Sequence, residues 1–281
     1  MAGPDEPAVL ARADTAPPGG TPDPDGPNPP AVRLEVLGPV GWITVSNPRR
    51  RNAITPAMCR MLEEITAGLG ASEDVRVVVV RGDGSSAFIS GADISMLGPD
   101  SNAVTGTLRG IHALTSLTVP VIAMINGPCF GGGVAVALDA DIRIASAAAR
   151  FAIPAARLGA GYGLAETASL VRAVGASETS AILFTGAAFD AATALRIGLV
   201  QEVVAPYELA GRVTELAGRI AGNAPLSLRA AKAAIGAAGG HASGDVRAQA
   251  QRLIDECAAS ADFAEGRDAF LAKRAPVFRG R

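Results

Sequence analysis

The sequence is short of the residues that most often do proton and metal chemistry. Only two of its 281 residues are histidine, His112 and His241, so a histidine-based triad or zinc site has almost nothing to be built from. Three cysteines, Cys59, Cys129 and Cys257, are an odd number, far apart and without CxxC spacing. They read as buried thiols in a reducing compartment, not as a disulfide framework or a metal set. Aromatics make up 4% of the chain against a hydrophobic fraction of 49%, so the interior has to be built mainly from Ala, Val, Ile and Leu. No uninterrupted apolar run reaches the roughly 18 residues of a membrane span. No basic segment followed by an apolar core marks a secretory signal, and the expected home is the cytoplasm. The net charge is −2 with scattered Lys and Arg, which argues against nucleic acid as a partner. No GK[ST] triplet is present, and FGGGVA does not match GxGxxG.

What is present divides the chain in three. Residues 1–30 hold nearly half of the 19 prolines, among them Pro17-Pro18 and Pro29-Pro30, and are expected to be a disordered tail. Residues 31–205 read as an α/β core, and 206–281 as a helical region.

Within the core, VRLEVLG and GWITVS alternate apolar and polar residues around Gly38-Pro39, the pattern of a β-hairpin. Thr55 caps a helix that carries Met58, Met61, Leu62 and Ile65 at helical spacing. VRVVVVRG, Val75 to Gly82, is continuously apolar, as a strand covered on both faces must be. A helix over Leu108–Leu117, a strand over Val119–Gly127, a helix over Gly131–Leu138 and a strand over Asp141–Ser146 continue the alternation, which implies crossover units. FAI at Phe151 reads as a short strand ahead of Pro154. From Leu164 onward the reading is almost wholly helical: Leu164–Val174, Ser177–Phe184, Ala191–Ile197, Tyr207–Ala221, Ser227–Ala237, Val246–Ala259 and Phe263–Lys273.

Two glycine-centred turns carry the first chemical content. SGADI, Ser90 to Ile94, and FGGGVA, Phe130 to Ala135, each follow a strand and open a helix. Glycine lets backbone N–H groups approach a ligand with no side chain in the way. At a helix N-terminus those groups are unpaired and lie at the positive end of the dipole. A pair of such turns can hold one carbonyl oxygen as it becomes an enolate or tetrahedral oxyanion.

The stretches SNPRRRNAI, AFISGADI, VIAMINGPCFGGGVAVALDADIRIAS, FAIP…LG and EGRDAFLAKRAPVF occur in that order. Over Arg33 to Phe278 the chain resembles the crotonase superfamily, the enoyl-CoA hydratase/isomerase family. The resemblance implies a spiral of ββα units, a helical trimerisation region, and a homotrimer or hexamer (dimer of trimers). It implies an acyl-CoA thioester as substrate, with coenzyme A part of that substrate and no other cofactor. The thioester oxygen is expected between the N–H groups of Ala92 and Gly132. Arg49, aligned with a basic residue common in the family, and its neighbours Arg50 and Arg51 fall near the CoA phosphates, where Arg offers bidentate geometry. A solvated basic turn is the alternative. Ala53, Ser90 and Ile94 fall along the same substrate stretch, and Phe270 and Lys273 resemble residues that close over a CoA, often from a neighbouring subunit.

Two departures stand out. Hydratases of the family hold water between two glutamates, and the matching positions here are Ala135 and Ala155. Ordinary hydration and isomerisation are expected to suffer. Tyr162 falls on a tyrosine of the methylmalonyl-CoA decarboxylase branch, whose turn FAIPAARLGAGY resembles. Decarboxylation is the leading specific reaction on that likeness. Glu166, one helical turn after Tyr162, either reaches the pocket as a substitute acid or favours its helix N-terminus. Asp93 is expected to cap a helix, Asp139 and Asp141 to be structural, His112 to be packing or surface, and His241 to be solvated. Two rival functions remain open: a non-catalytic acyl-CoA-binding protein, and a hydratase using Glu166, Tyr162 or bound water.

Overall fold

The structure, a computed structural model, describes residues 29–70, 72, 74–93, 110–239 and 243–281. The expected tail up to residue 28, Ile94, His241 and the start of the helix expected at Leu108 lie outside the described residues.

The valine run does what its composition requires. It forms β3 (Val77–Gly82), flanked by β2 (Val40–Ser46) and β4 (Val121–Ile125), all parallel. β1 (Ala31–Leu37) pairs antiparallel with β2 through the expected hairpin, whose turn residue Gly38 has φ 58°. β6 (Ile142–Ser146) and β9 (Glu202–Val204) complete a six-stranded sheet in the order β1-β2-β3-β4-β6-β9. β5 (Pro128–Phe130), β7 (Arg150–Ala152) and β8 (Phe189–Asp190) form a second, three-stranded sheet.

Alternation along β3 sends its side chains into two cores. Val78 and Val80 join a large cluster with Met58 and Leu62 of α1 (Pro56–Gly70) and Val134 and Ala135 of α2 (Gly132–Asp139). Leu170 and Ile182 of α3 (Leu164–Thr185) belong to the same cluster. Val77 and Val79 pack on the opposite face, against Leu209, Val213 and Ala217 of α5 (Leu209–Ala221). The hydroxyl of Thr55 accepts the Met58 N–H at 3.3 Å, so α1 starts where its cap is. Between α3 and α5, α4 (Ala191–Arg196) starts at Asp190, whose carboxylate accepts the Thr193 N–H at 2.8 Å. The C-terminal helices are α6 (Pro225–Ala238), α7 (Gly244–Ala259) and α8 (Ala261–Leu271).

Two expectations change. The two helices read over Leu164–Val174 and Ser177–Phe184 are halves of α3, broken at Gly175, whose φ of 80° only glycine adopts freely. The segment before β4 is helical at Gly110–Ile111 and then tightens into a 3-10 turn over Ala113–Ser116. The Thr115 and Ser116 hydroxyls cause this by donating back to the His112 and Ala113 carbonyls at 2.7 and 2.8 Å. The region after Leu164 is almost wholly helical as expected, and to it are added two short strands, β8 and β9, that return to the sheets.

Candidate active site

The loop before α1 is folded around two asparagines. Asn52 is buried with φ 59°; its amide donates to the Asp83 and Ala87 carbonyls at 3.0 Å while its oxygen accepts the Asn47 N–H at 3.1 Å. Asn47 in turn donates to the Ala53 carbonyl at 2.8 Å. These bonds turn Arg49, Arg50 and Arg51 outward as an exposed basic corner. The corner is pinned beside the SGADI turn, since the Ser90 hydroxyl donates to the Arg50 carbonyl at 2.8 Å and the Ser90 N–H to the Arg51 carbonyl at 3.2 Å.

Ala92 is next to that corner in an isolated parallel bridge with Ile54. The bridge uses the Gly91 carbonyl, which accepts the Ile54 N–H at 2.8 Å, and the Asp93 N–H, which donates to Ile54 at 2.9 Å. In extended backbone successive groups alternate in direction, so the Ala92 N–H points to the other side. Gly132 is there, the first residue of α2, with Gly131 as its cap at φ 49° and a helix-terminal N–H without an intrahelical acceptor. A Cβ placed on Gly132 would lie 3.7 Å from the Ala92 nitrogen and 3.1 Å from Ile111 Cδ1. Glycine at 132 therefore keeps the space in front of both N–H groups clear.

One turn into α2, Ala135 is buried, and Asp139 follows it on the same helix face. At 1.5 Å per residue the two ends of this helix are about 10 Å apart. At its far end the Asp139 carboxylate meets His112 Nδ1, at 3.1 and 3.0 Å from its two oxygens. His112 Nε2 is 3.0 Å from Glu166 Oε1. Glu166 lies in the first turn of α3 and is 4% exposed, with its other oxygen against Gly163 where a Cβ would otherwise stand. Tyr162 is in the loop between the 3-10 turn that begins at Ala155 and α3; its ring packs on the main core. The Tyr162 hydroxyl is covered from solvent and has no hydrogen-bond partner among the described residues.

The electrostatics follow from this geometry. Hydrogen bonding to Asp139 pushes the His112 pKa up to about 9 against the pull of burial, with Glu166 adding to the rise. The ring therefore carries two protons at neutral pH and offers no lone pair to a metal. Burial raises the Asp139 pKa, and His112 and Arg172 oppose that rise. The two partners thus pull in opposite senses. Both Asp139 oxygens meet the His112 Nδ1–H, which favours the charged carboxylate against its burial. Burial, then the charges of Glu166, Cys129 and Asp139, raise the Tyr162 pKa and keep it a neutral phenol.

Of the residues singled out from sequence, the fold gathers Ala53, Ser90, Ala92, Gly132 and the three arginines along one edge. Tyr162 and Glu166 fall at the Asp139 end of α2. Ala155 starts its 3-10 turn, packed against the core, while Phe270 and Lys273 are exposed at and after the end of α8. Ser90 is engaged with the Arg50 and Arg51 carbonyls of the basic corner. His112 is corrected: it is neither packing nor free surface but the link between two carboxylates. Asp139 is likewise its partner, whereas Asp141 is structural, accepting the Val121 N–H at 2.7 Å and Lys232 Nζ at 2.8 Å.

The architecture is that of the crotonase fold, with a glycine-started helix facing an extended SGADI-type turn. The enoyl-CoA hydratase/isomerase sequence family matches residues 36–281, and the chain belongs to that family. It is 34% identical over 249 residues to the short-chain-enoyl-CoA hydratase of Clostridium acetobutylicum, covering 86% of this chain and 95% of that one. It is 34% identical over 253 residues to the (E)-benzylidenesuccinyl-CoA hydratase of Thauera aromatica, covering 89% and 99%. Among solved structures, the enoyl-CoA hydratase of Bacillus anthracis superimposes with a TM-score of 0.83 at 28% identity, covering 89% of this chain and 99% of that one.

Proposed function

We propose that the protein shifts a double bond or exchanges a proton on an enoyl-CoA with one carboxylate, Glu166, and is a poor hydratase. The Ala92 and Gly132 N–H groups bind the thioester oxygen. Glu166 removes a proton from one acyl carbon to leave an enolate held by those donors, then returns it to another carbon. Atoms balance without water, so one carboxylate suffices, whereas hydration in the family engages the two positions that are Ala135 and Ala155 here. The observation that carries this reading is the buried Glu166 carboxylate beside the unpartnered Tyr162 hydroxyl.

Each backbone donor in such a site is worth about 10²–10³ in rate, and an acid–base group about 10²–10⁴. On this reading, alanine in place of two glutamates suits an acyl group larger than crotonyl, and benzylidenesuccinyl-CoA, named for one relative, is of that kind. The basic corner at Arg49–Arg51 is assigned to the CoA phosphates. In a homotrimer or hexamer, Phe270 and Lys273 would close over a neighbour's CoA. Decarboxylation is a second reading, favoured by the Tyr162 hydroxyl, a neutral donor able to hold a substrate carboxylate.

The test is a panel of 3-enoyl-, 2-enoyl-, malonyl-type and β-ketoacyl-CoAs with products followed by mass, for the wild type and Glu166→Gln. Double-bond shift or deuterium uptake that falls at least 100-fold in the variant is expected. Release of CO₂ would put decarboxylation in its place, binding without turnover would leave a carrier protein, and brisk hydration of crotonyl-CoA would overturn the reading.

A further inference from the structure

The His112 bridge lies outside every motif that brought the site to notice. It joins a carboxylate at the C-terminal end of α2 to one in the first turn of α3, across 27 and 54 residues of chain. Both ring nitrogens end on carboxylate oxygens at 3.0 Å, so the ring cannot rotate without giving up two charge-assisted bonds. The residue before it, Ile111, is fully buried and touches the space in front of Gly132. The segment that supports the wall of the oxyanion pocket therefore also carries the imidazole.

We propose that His112, anchored by Asp139, is the positioning residue that holds the Glu166 carboxylate by Oε1 and leaves Oε2 as the oxygen that exchanges protons with the acyl group. The inference rests on Glu166 as the base. A proton taken by Oε2 leaves the Nε2 contact with Oε1 and the Nδ1 contact with Asp139 in place, so the carboxylate keeps its orientation as the proton comes and goes. Gly163 completes the arrangement, because without a Cβ it leaves space for Oε2.

The charged and titratable groups facing the ring are Asp139 on α2, Glu166 and Arg172 on α3, Tyr162 in the preceding loop and Cys129 on β5. Tyr162 and Cys129 are both pushed up by burial, beyond the range of an ordinary pH profile. A loss of activity near pH 9 therefore reports His112 losing a proton, after which one ring nitrogen has no hydrogen to give and one carboxylate loses its donor.

The experiment uses 3-octenoyl-CoA as probe, with kcat and KM measured from pH 6 to 10.5 for wild type, Glu166→Gln, His112→Gln and His112→Ala. His112→Ala is expected to lose 10- to 100-fold in kcat with KM within about 2-fold. His112→Gln, which keeps an amide donor but cannot titrate, is expected to recover much of kcat and to lose the fall near pH 9. As a readout independent of turnover, NMR of the ring nitrogens, with His112→Gln identifying His241, should find His112 doubly protonated to about pH 9 in wild type and to lower pH in Glu166→Gln. If Glu166→Gln keeps wild-type turnover, or the wild type is inert, Glu166 is not the base and this inference goes with it. If Glu166→Gln is inactive while His112→Gln follows the wild-type pH profile, or the ring titrates near 6.5, only the role of His112 is overturned.

Discussion

Replacing Gly163 with alanine separates the catalytic arrangement from stability at a single atom. Gly163 has φ −62° and ψ 155°, extended backbone that any residue adopts, so alanine brings no strain. By restricting the unfolded chain it would ordinarily stabilise by about 0.4–1 kcal/mol. The new methyl group, however, would occupy the position of the Glu166 carboxylate. Moving that carboxylate breaks its bond to His112, and a hydrogen bond between charged groups contributes about 1.5–3 kcal/mol. The second effect wins, and the variant should be less stable by about 1–2 kcal/mol. The single tryptophan, Trp42, is buried under Arg81 in the sheet, so its fluorescence reports urea denaturation of the core without touching the site. Turnover of 3-octenoyl-CoA should fall by 10- to 100-fold with the oxyanion turns intact. A Gly163→Ala protein more stable than wild type and fully active would refute the placement of Glu166 on His112.

Three further outcomes follow from contacts described above. His112 has its pKa raised from 6.5 to about 9, so its ionised form stabilises the fold fully below pH 6.5 and loses that contribution as pH rises through about 9. At about 1.4 kcal/mol per pH unit the rise is worth at most on the order of 3 kcal/mol, part of it offset by the burial of Asp139; urea titrations at pH 6.5 and 9.5 should differ in wild type and not in His112→Gln. Ala135→Glu with Ala155→Glu should raise crotonyl-CoA hydration by about 100-fold or more, and an unchanged rate would mean that the missing carboxylates are not the limiting defect. Asp262 is buried and accepts the Arg279 and Gly280 N–H groups at 2.7 Å each; Asp262→Ala should free the last residues of the chain to carboxypeptidase while wild type resists.

The parts of the fold that carried a period or a punctuation mark were legible. A valine run with polar residues only at its ends has to be covered on both faces, and β3 is. Thr55 ahead of an apolar stripe marked α1, and the glycine run marked the start of α2. Strands of two or three residues such as β5, β8 and β9 are too short to show alternation, and their pairing depends on partners tens of residues away. The site divides along the same line. The groups assigned to the thioester oxygen at Ala92 and Gly132 are backbone, and the turn pattern places backbone. His112 meets two side chains on other elements, and nothing in the residues around it hints at either. Asn47 and Asn52 belong to SNPRRRNAI, in which the charge of the arginines suggests phosphate. The asparagines are what fold the corner.

Cys129 has a use beyond packing. It lies on β5 with its thiol fully buried, and burial raises its pKa well above that of a free thiol. Alkylating reagents attack the thiolate, so in the folded protein Cys129 can react only during excursions that expose it. Tyr162 is close enough to feel its charge, together with those of Glu166 and Asp139. The rate of Cys129 alkylation is thus an intrinsic clock for the opening of the β5–β7 pair beside Tyr162. An acyl-CoA that fills the pocket should slow the clock in proportion to its occupancy, whether or not it is turned over.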